Sequence, residues 1–161
     1  MKYAVVYYSL TGNSKVIAEN IGKQKNIPVF EIEELKKRSN AGAYLTGSLQ
    51  ALQKKGSQVK KIEFDMNFLK GVIMVGPVWA GRQAPALNAF MRENMVQGKD
   101  VYCVMVSASG KGEKIRDSVK ALVEGEGCRF KYFRNIKAGK AFMEALKAGQ
   151  KDVDVSDMKI E

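Results

Sequence analysis

The chain has 161 residues, 45% of them apolar, which fits one compact domain able to bury about two-thirds of its unfolded surface. Its 27 Lys and Arg against 17 Asp and Glu give a formal net charge of +10, which points to anionic partners. Histidine is absent, so Ser-His and Cys-His triads, an imidazole base and His-containing zinc or haem sites are excluded. Cys103 and Cys128 are too few for a multi-thiolate metal centre, and no metal ligand set is found. With no signal peptide they read as reduced thiols of a cytoplasmic protein, a single disulfide staying open. No apolar run nears the ~20 residues a membrane helix needs.

Tyr3 to Tyr8 is a continuous β-branched and aromatic run, and Asn13 to Lys23 sets Val16, Ile17, Asn20 and Ile21 near one helical face: strand, turn, helix. Pro28 opens Val29 to Ile32, a short edge strand, and an amphipathic stretch follows around Leu45, Leu49 and Leu52. Gly71 to Val75 is a second buried strand, closed by Gly76-Pro77 and followed by a helix pattern from Ala84 to Met95. Val101 to Val106 is a third, closed by Ser107 to Gly112, and Ile115, Val119 and Leu122 mark the next helix up to Gly125. Arg129 to Ile136 alternates as an edge strand does, and Ala141 to Leu146 is the last helix. Cys103, Cys128, the eight methionines and the Phe142-Met143 pair read as packing.

Strands alternating with helices specify a three-layer α/β sandwich, a parallel sheet with helices on both faces. The continuous runs must be covered on both sides and the alternating ones suit edges, which gives five strands in the order 2-1-3-4-5. Ligands of such sheets sit beyond the carboxyl ends of the strands at the switch point, here between the first and third. The loops after Tyr8, Val75 and Val106 therefore hold the candidate site.

Ser9, Leu10, Thr11, Gly12, Asn13 and Ser14 combine hydroxyls, a small residue and the free amides of a helix N-terminus, donors suited to a phosphate. The same six residues also suit a plain turn in which Thr11, Asn13 or Ser14 caps the helix and nothing binds. No GxxxxGK[ST] surrounds Gly12, and Gly110-Lys111-Gly112 lacks the third glycine of a dinucleotide fingerprint, so a mononucleotide is favoured.

Tyr7 to Ser14 resembles the phosphate loop of flavodoxins, [ST]-x-T-G-x-T, with serine in the last place. Val75-Gly76-Pro77-Val78-Trp79-Ala80-Gly81 is similar to the G-[ST]-P-x-[WY]-x-G loop of that family. The resemblance spans nearly the whole chain and, with no insertion splitting the fifth strand, points to the short-chain class. It implies FMN, with the phosphate on Ser9 to Ser14 and the ring held by the other two loops. Within Pro77, Val78, Trp79, Ala80 and Gly81, the indole would stack on or flank the isoalloxazine; alternatively Trp79 anchors the following helix. Ser107, Ala108, Ser109 and Gly110 would offer backbone donors to the ring's pyrimidine edge, or form only a turn. Dedicated carriers of the family place a tyrosine in this loop, and here none is available.

Three functions follow: an FMN-binding carrier of electrons between redox partners, in which no side chain is catalytic; an FMN-dependent NAD(P)H reductase of a quinone or other small acceptor; or a cofactor-free binding module. The net charge of +10 calls for an acidic redox partner, a reductase or ferredoxin-like protein, and monomer and homodimer both stay open. Residues 36 to 61 carry Lys36, Lys37, Arg38, Lys54, Lys55, Lys60 and Lys61 without an acid, a docking face or a solvated one. Tyr44 is the segment's lone aromatic, which speaks against nucleic acid. The last eleven residues hold four acids against two lysines and read as a mobile tail, leaving 25 basic and 13 acidic side chains on the first 150.

Overall fold

The computed structural model describes residues 2–36, 58–95, 97–110 and 112–161. In chain order these form β1 (Tyr3–Tyr7), α1 (Asn13–Lys25), β2 (Val29–Glu31), a 3-10 turn (Met66–Phe68), β3 (Gly71–Trp79) and β4 (Arg82–Gln83). Then come α2 (Pro85–Asn94), β5 (Asp100–Ser107), α3 (Glu113–Gly125), β6 (Arg129–Lys137) and α4 (Lys140–Lys147). The amphipathic stretch around Leu45, Leu49 and Leu52 lies outside the described residues, as do residues 37–57 of the basic segment. Lys60, within that segment, is ion-paired with Glu33 at 2.6 Å.

The sheet runs β2-β1-β3-β5-β6, all parallel, with Tyr7 level with Glu31 and Val75, and Val75 level with Val104. This is the expected five-strand order with one short antiparallel addition, β4, hydrogen-bonded to the tip of β3. Every residue of β1 and β5 is buried, whereas β2 and β6 are half-exposed, as their sequences require of edges. A bulge places Lys131 as the extra residue of β6, between the pairs Val101–Phe130 and Tyr102–Tyr132.

Alternation along the strands divides the core in two. Ala4, Val6, Val72 and Met105 face Leu87, Phe90 and Met91 of α2 and Ile115, Val119 and Val123 of α3. Tyr3, Val5, Tyr7 and Val104 face Ile17 and Ile21 of α1 and Met143 and Leu146 of α4. Cys103 and Cys128 lie within the first cluster and are not disulfide-bonded.

Two expectations need correction. The second buried strand does not stop at Gly76-Pro77 but continues to Trp79. Val75 accepts the Tyr8 amide at 3.0 Å, so Pro77, two residues on, turns its missing N–H to the same side, where β1 has already ended. There a proline leaves no ladder bond unmade, and its carbonyl accepts the Ala84 amide at 3.1 Å.

The acidic C-terminal stretch, expected to be mobile, is a packed strap. Val153, Val155 and Met158 are at most 2% exposed and lie in the core cluster of α1 and α4. Asn20 of α1 donates to Asp152 Oδ1 (2.8 Å) and accepts the Val153 amide (2.9 Å), while Lys25 Nζ donates to the carbonyls of Val155 and Met158. The acids point outward: Asp157 accepts from the Tyr132 hydroxyl (2.8 Å) and from Arg134 (2.9 Å), and Asp154 from Ser156. Both carboxyls are held below their ordinary range, Asp154 chiefly by the Ser156 hydroxyl and Asp157 chiefly by that of Tyr132, with the Arg134 charge adding to each.

Truncating the strap's buried anchor, Met158→Ala, is expected to lower unfolding stability by about 2–4 kcal/mol in a urea titration. Because the two folded carboxyls are depressed, their stabilisation is complete above the unfolded value near 3.8 and is lost as pH falls below it. Melting temperature should thus fall on acidification through pH 4, and less steeply in Asp157→Asn.

Candidate functional site

The carboxyl ends of β1, β3 and β5 carry three loops, each shaped by local chemistry. After β1, Ser9 Oγ accepts the Gly12 amide at 3.0 Å, and Gly12 takes φ 96°, a left-handed conformation that a side chain would strain although space around it is open. Gly12 is thereby the cap residue of α1, and its carbonyl accepts the Val16 amide at 3.1 Å. No side chain caps the helix, so the capping role considered for Thr11, Asn13 or Ser14 is not taken, and no acid lies in the first turn. Ser14 is 2% exposed. It opens into the cavity described below.

The second loop is the β3–β4 hairpin, in which Val78 pairs with Gln83 and Trp79 with Arg82. Ala80 (φ 50°) and Gly81 (φ 71°) make the turn with positive φ at both central positions, the type that follows the twist of a hairpin. Trp79 stands edge-on to Tyr8, centroids 5.8 Å apart and planes at 81°, and packs on the α2-side core. It therefore anchors the hairpin and faces the cavity together.

The third loop repeats the device of the first. Ser107 Oγ accepts the Gly110 amide at 3.0 Å, and Gly110 takes φ 71°. The Ser107 hydroxyl donates to Asn135 Oδ1 at 3.0 Å, tying the loop to β6. Asn135 Nδ2 is buried without a partner among the described residues. Asn135 was not singled out from the sequence, because one polar residue in an alternating edge strand carries no signal. The spacing Ser-x-x-Gly after a buried strand, present twice, was the legible cue for both turns.

One cavity of about 150 Å³ joins the three loops. Ser9, Leu10, Thr11, Asn13, Ser14, Pro77, Val78, Trp79, Ser107 and Ala108 line it, as do Val106 and Ala138, which the sequence did not mark. Gly12, Ala80, Gly81, Ser109 and Gly110 are not in its wall; all but Ser109 instead set the turns through positive φ. Among the described residues no ionisable side chain lines it, and their donors are hydroxyls, an amide side chain and backbone N–H groups. Acids begin next door, where a hollow of about 410 Å³ runs from Ser9 to Glu31, Glu33 and Glu34, and Tyr8 donates to Glu34 at 2.8 Å. Burial, then Glu31, pushes the Tyr7 phenol well above its ordinary range. Burial likewise raises both thiols, so neither Cys103 nor Cys128 presents a thiolate at neutral pH.

No family model matches the chain, and no curated protein matches it either. Solved structures do match. A Bacteroides eggerthii protein assigned as a flavoprotein superposes with a TM-score of 0.74 at 18% identity, over 92% of this chain and 94% of that one. A Lactobacillus acidophilus flavoprotein in complex with FMN gives 0.70 at 19% identity, over 83% and 92%. An archaeal flavodoxin gives 0.51 at 16%, over 92% of each chain. The fold is thus flavodoxin-like, a three-layer α/β sandwich with its loops gathered at the switch point.

Gly81→Ala adds a Cβ at positive φ in the two-residue turn and is expected to cost about 1–2 kcal/mol, read as a lower urea midpoint with unchanged slope.

Proposed function

We propose that the chain binds FMN at the strand-end cavity and carries electrons between redox partners. The observation that carries this reading is the gathering of neutral donors at a helix N-terminus that no side chain caps, with the buried Ser14 in the cavity wall. The residues fit the group: a phosphate needs several donors and no competing carboxylate, and the described residues of this wall supply hydroxyls and amides and no carboxylate. The fold and the FMN complex of the Lactobacillus protein lend support.

Thr11, Asn13, Ser14 and the first-turn amides of α1 would hold the phosphate. Trp79 would lie against the ring and shed water from it, and the backbone of Ser107 to Gly110 would meet the pyrimidine edge. FMN, when bound, supplies one- and two-electron transfer. With no titratable side chain among the described residues of the wall, the protein's part is to bind, orient and exclude water. A second reading, the NAD(P)H reductase, is favoured by one feature: the loop Ser107 to Gly112 has no aromatic residue to cover the outer face. An acidic partner protein would complement the net charge of +10.

FMN added to purified protein should survive gel filtration near stoichiometric amount, whereas colourless protein leaves the binding-module reading. Thr11→Val removes one neutral hydrogen bond of about 1 kcal/mol and should raise the FMN dissociation constant about fivefold; Trp79→Ala should raise it about tenfold. If both variants hold FMN as the parent does, the site is misassigned. Steady NADPH oxidation without a separate reductase selects the second reading.

A further inference from the structure

The β3–β4 hairpin also borders a second hollow, of about 230 Å³, walled by α2 and α3. Three polar side chains form a directed relay along it: the Ser118 hydroxyl donates to Gln83 Oε1 at 2.9 Å, and Gln83 Nε2 donates to Asn88 Oδ1 at 2.8 Å. The relay consumes the amide oxygens and leaves N–H groups over. Asn88 is 4% exposed and lines the hollow, and with its Oδ1 taken by Gln83 its Nδ2 is the relay's remaining donor. An acceptor in the hollow would complete the relay. Arg82 and Arg92 line the same hollow, and neither makes an ion pair or side-chain hydrogen bond among the described residues. Among the described residues no acid lines it, in contrast to the hollow beside Glu31, Glu33 and Glu34.

We propose that this hollow binds a small organic oxyanion, a carboxylate or phosphate monoester, held between Arg82 and Arg92 and accepting from Asn88 Nδ2. Guanidinium forks match either oxyanion in bidentate geometry. The volume equals about eight waters, more than a bare ion fills, and Leu122 and Ala121 give the ligand's body an apolar wall. Nothing in this assignment depends on flavin.

The test titrates the whole protein, without added FMN, with benzoate and with phenyl phosphate, by calorimetry and by the fluorescence of Trp79. That residue is the chain's one tryptophan and the cross-strand neighbour of Arg82. Saturable one-to-one binding is expected, and whichever probe binds more tightly identifies the oxyanion. Arg82→Gln and Arg92→Gln should each weaken it about tenfold. Asn88→Asp, which keeps the acceptor for Gln83 but replaces the remaining donor with a charge, should abolish it. Lys140→Gln removes the same charge at an exposed position on α4, and should leave binding unchanged. Arg92 is exposed, so its substitution tests the assignment without disturbing the fold. Absent saturation, or an equal loss in all three single-charge variants, overturns the proposal. So does binding indifferent to both arginines and lost in Ser14→Ala, which would place the anion in the strand-end cavity.

Discussion

Parallel pairing of β1, β3 and β5 in the middle of the sheet is the constraint from which the rest of the molecule follows. Strands that run the same way need crossovers, and crossovers by helix cover both faces of the sheet. The three central strands therefore end on one side, and so do the turns that follow them. Where the chain leaves β1 toward β2 and β3 leads away toward β5, the turns diverge and leave room between them. The cavity is a result of topology before it is a result of side-chain choice, and the residues in its wall then decide what can enter.

Those residues place charge elsewhere than at the site. In a chain of net charge +10 the described residues of the strand-end cavity include no ionisable side chain, and their nearest neighbours on the β2 side are acids. An anion held there would be held by fixed dipoles, with hydroxyls and backbone amides already oriented by the Ser9–Gly12 and Ser107–Gly110 turns. Oriented neutral donors bring no mobile side chains to be ordered on binding, which is the advantage of a turn over a lysine. The arginines of the hollow beside α2 and α3 work in the other way, as charges of free reach.

The sheet and the three loops were legible because burial on two faces writes an unbroken apolar run, and edge strands write alternation. What escaped was contextual. Gly76-Pro77 reads locally as a stop, but whether a proline ends a strand depends on whether its missing N–H faces a partner, and that depends on where β1 ends. The strap escaped because its four acids dominate its composition. The alternation Asp152-Val153-Asp154-Val155 does state the arrangement, acids out and valines in, once composition is set aside. Asn135 carried no pattern at all: its place is defined by Ser107, twenty-eight positions earlier.

The strap has a consequence for the order in which structure is gained and lost. Its hydrogen bonds to Asn20 and Lys25 of α1 join residues up to 133 positions apart. Contacts of such separation form after the local strand–helix units have been brought together, since the entropy of closing the loop falls once its contents are ordered. Interactions made after the folding barrier do little to speed folding but must be broken on the way out. The strap thus works as a latch: it governs how long the folded molecule persists more than how fast it is made.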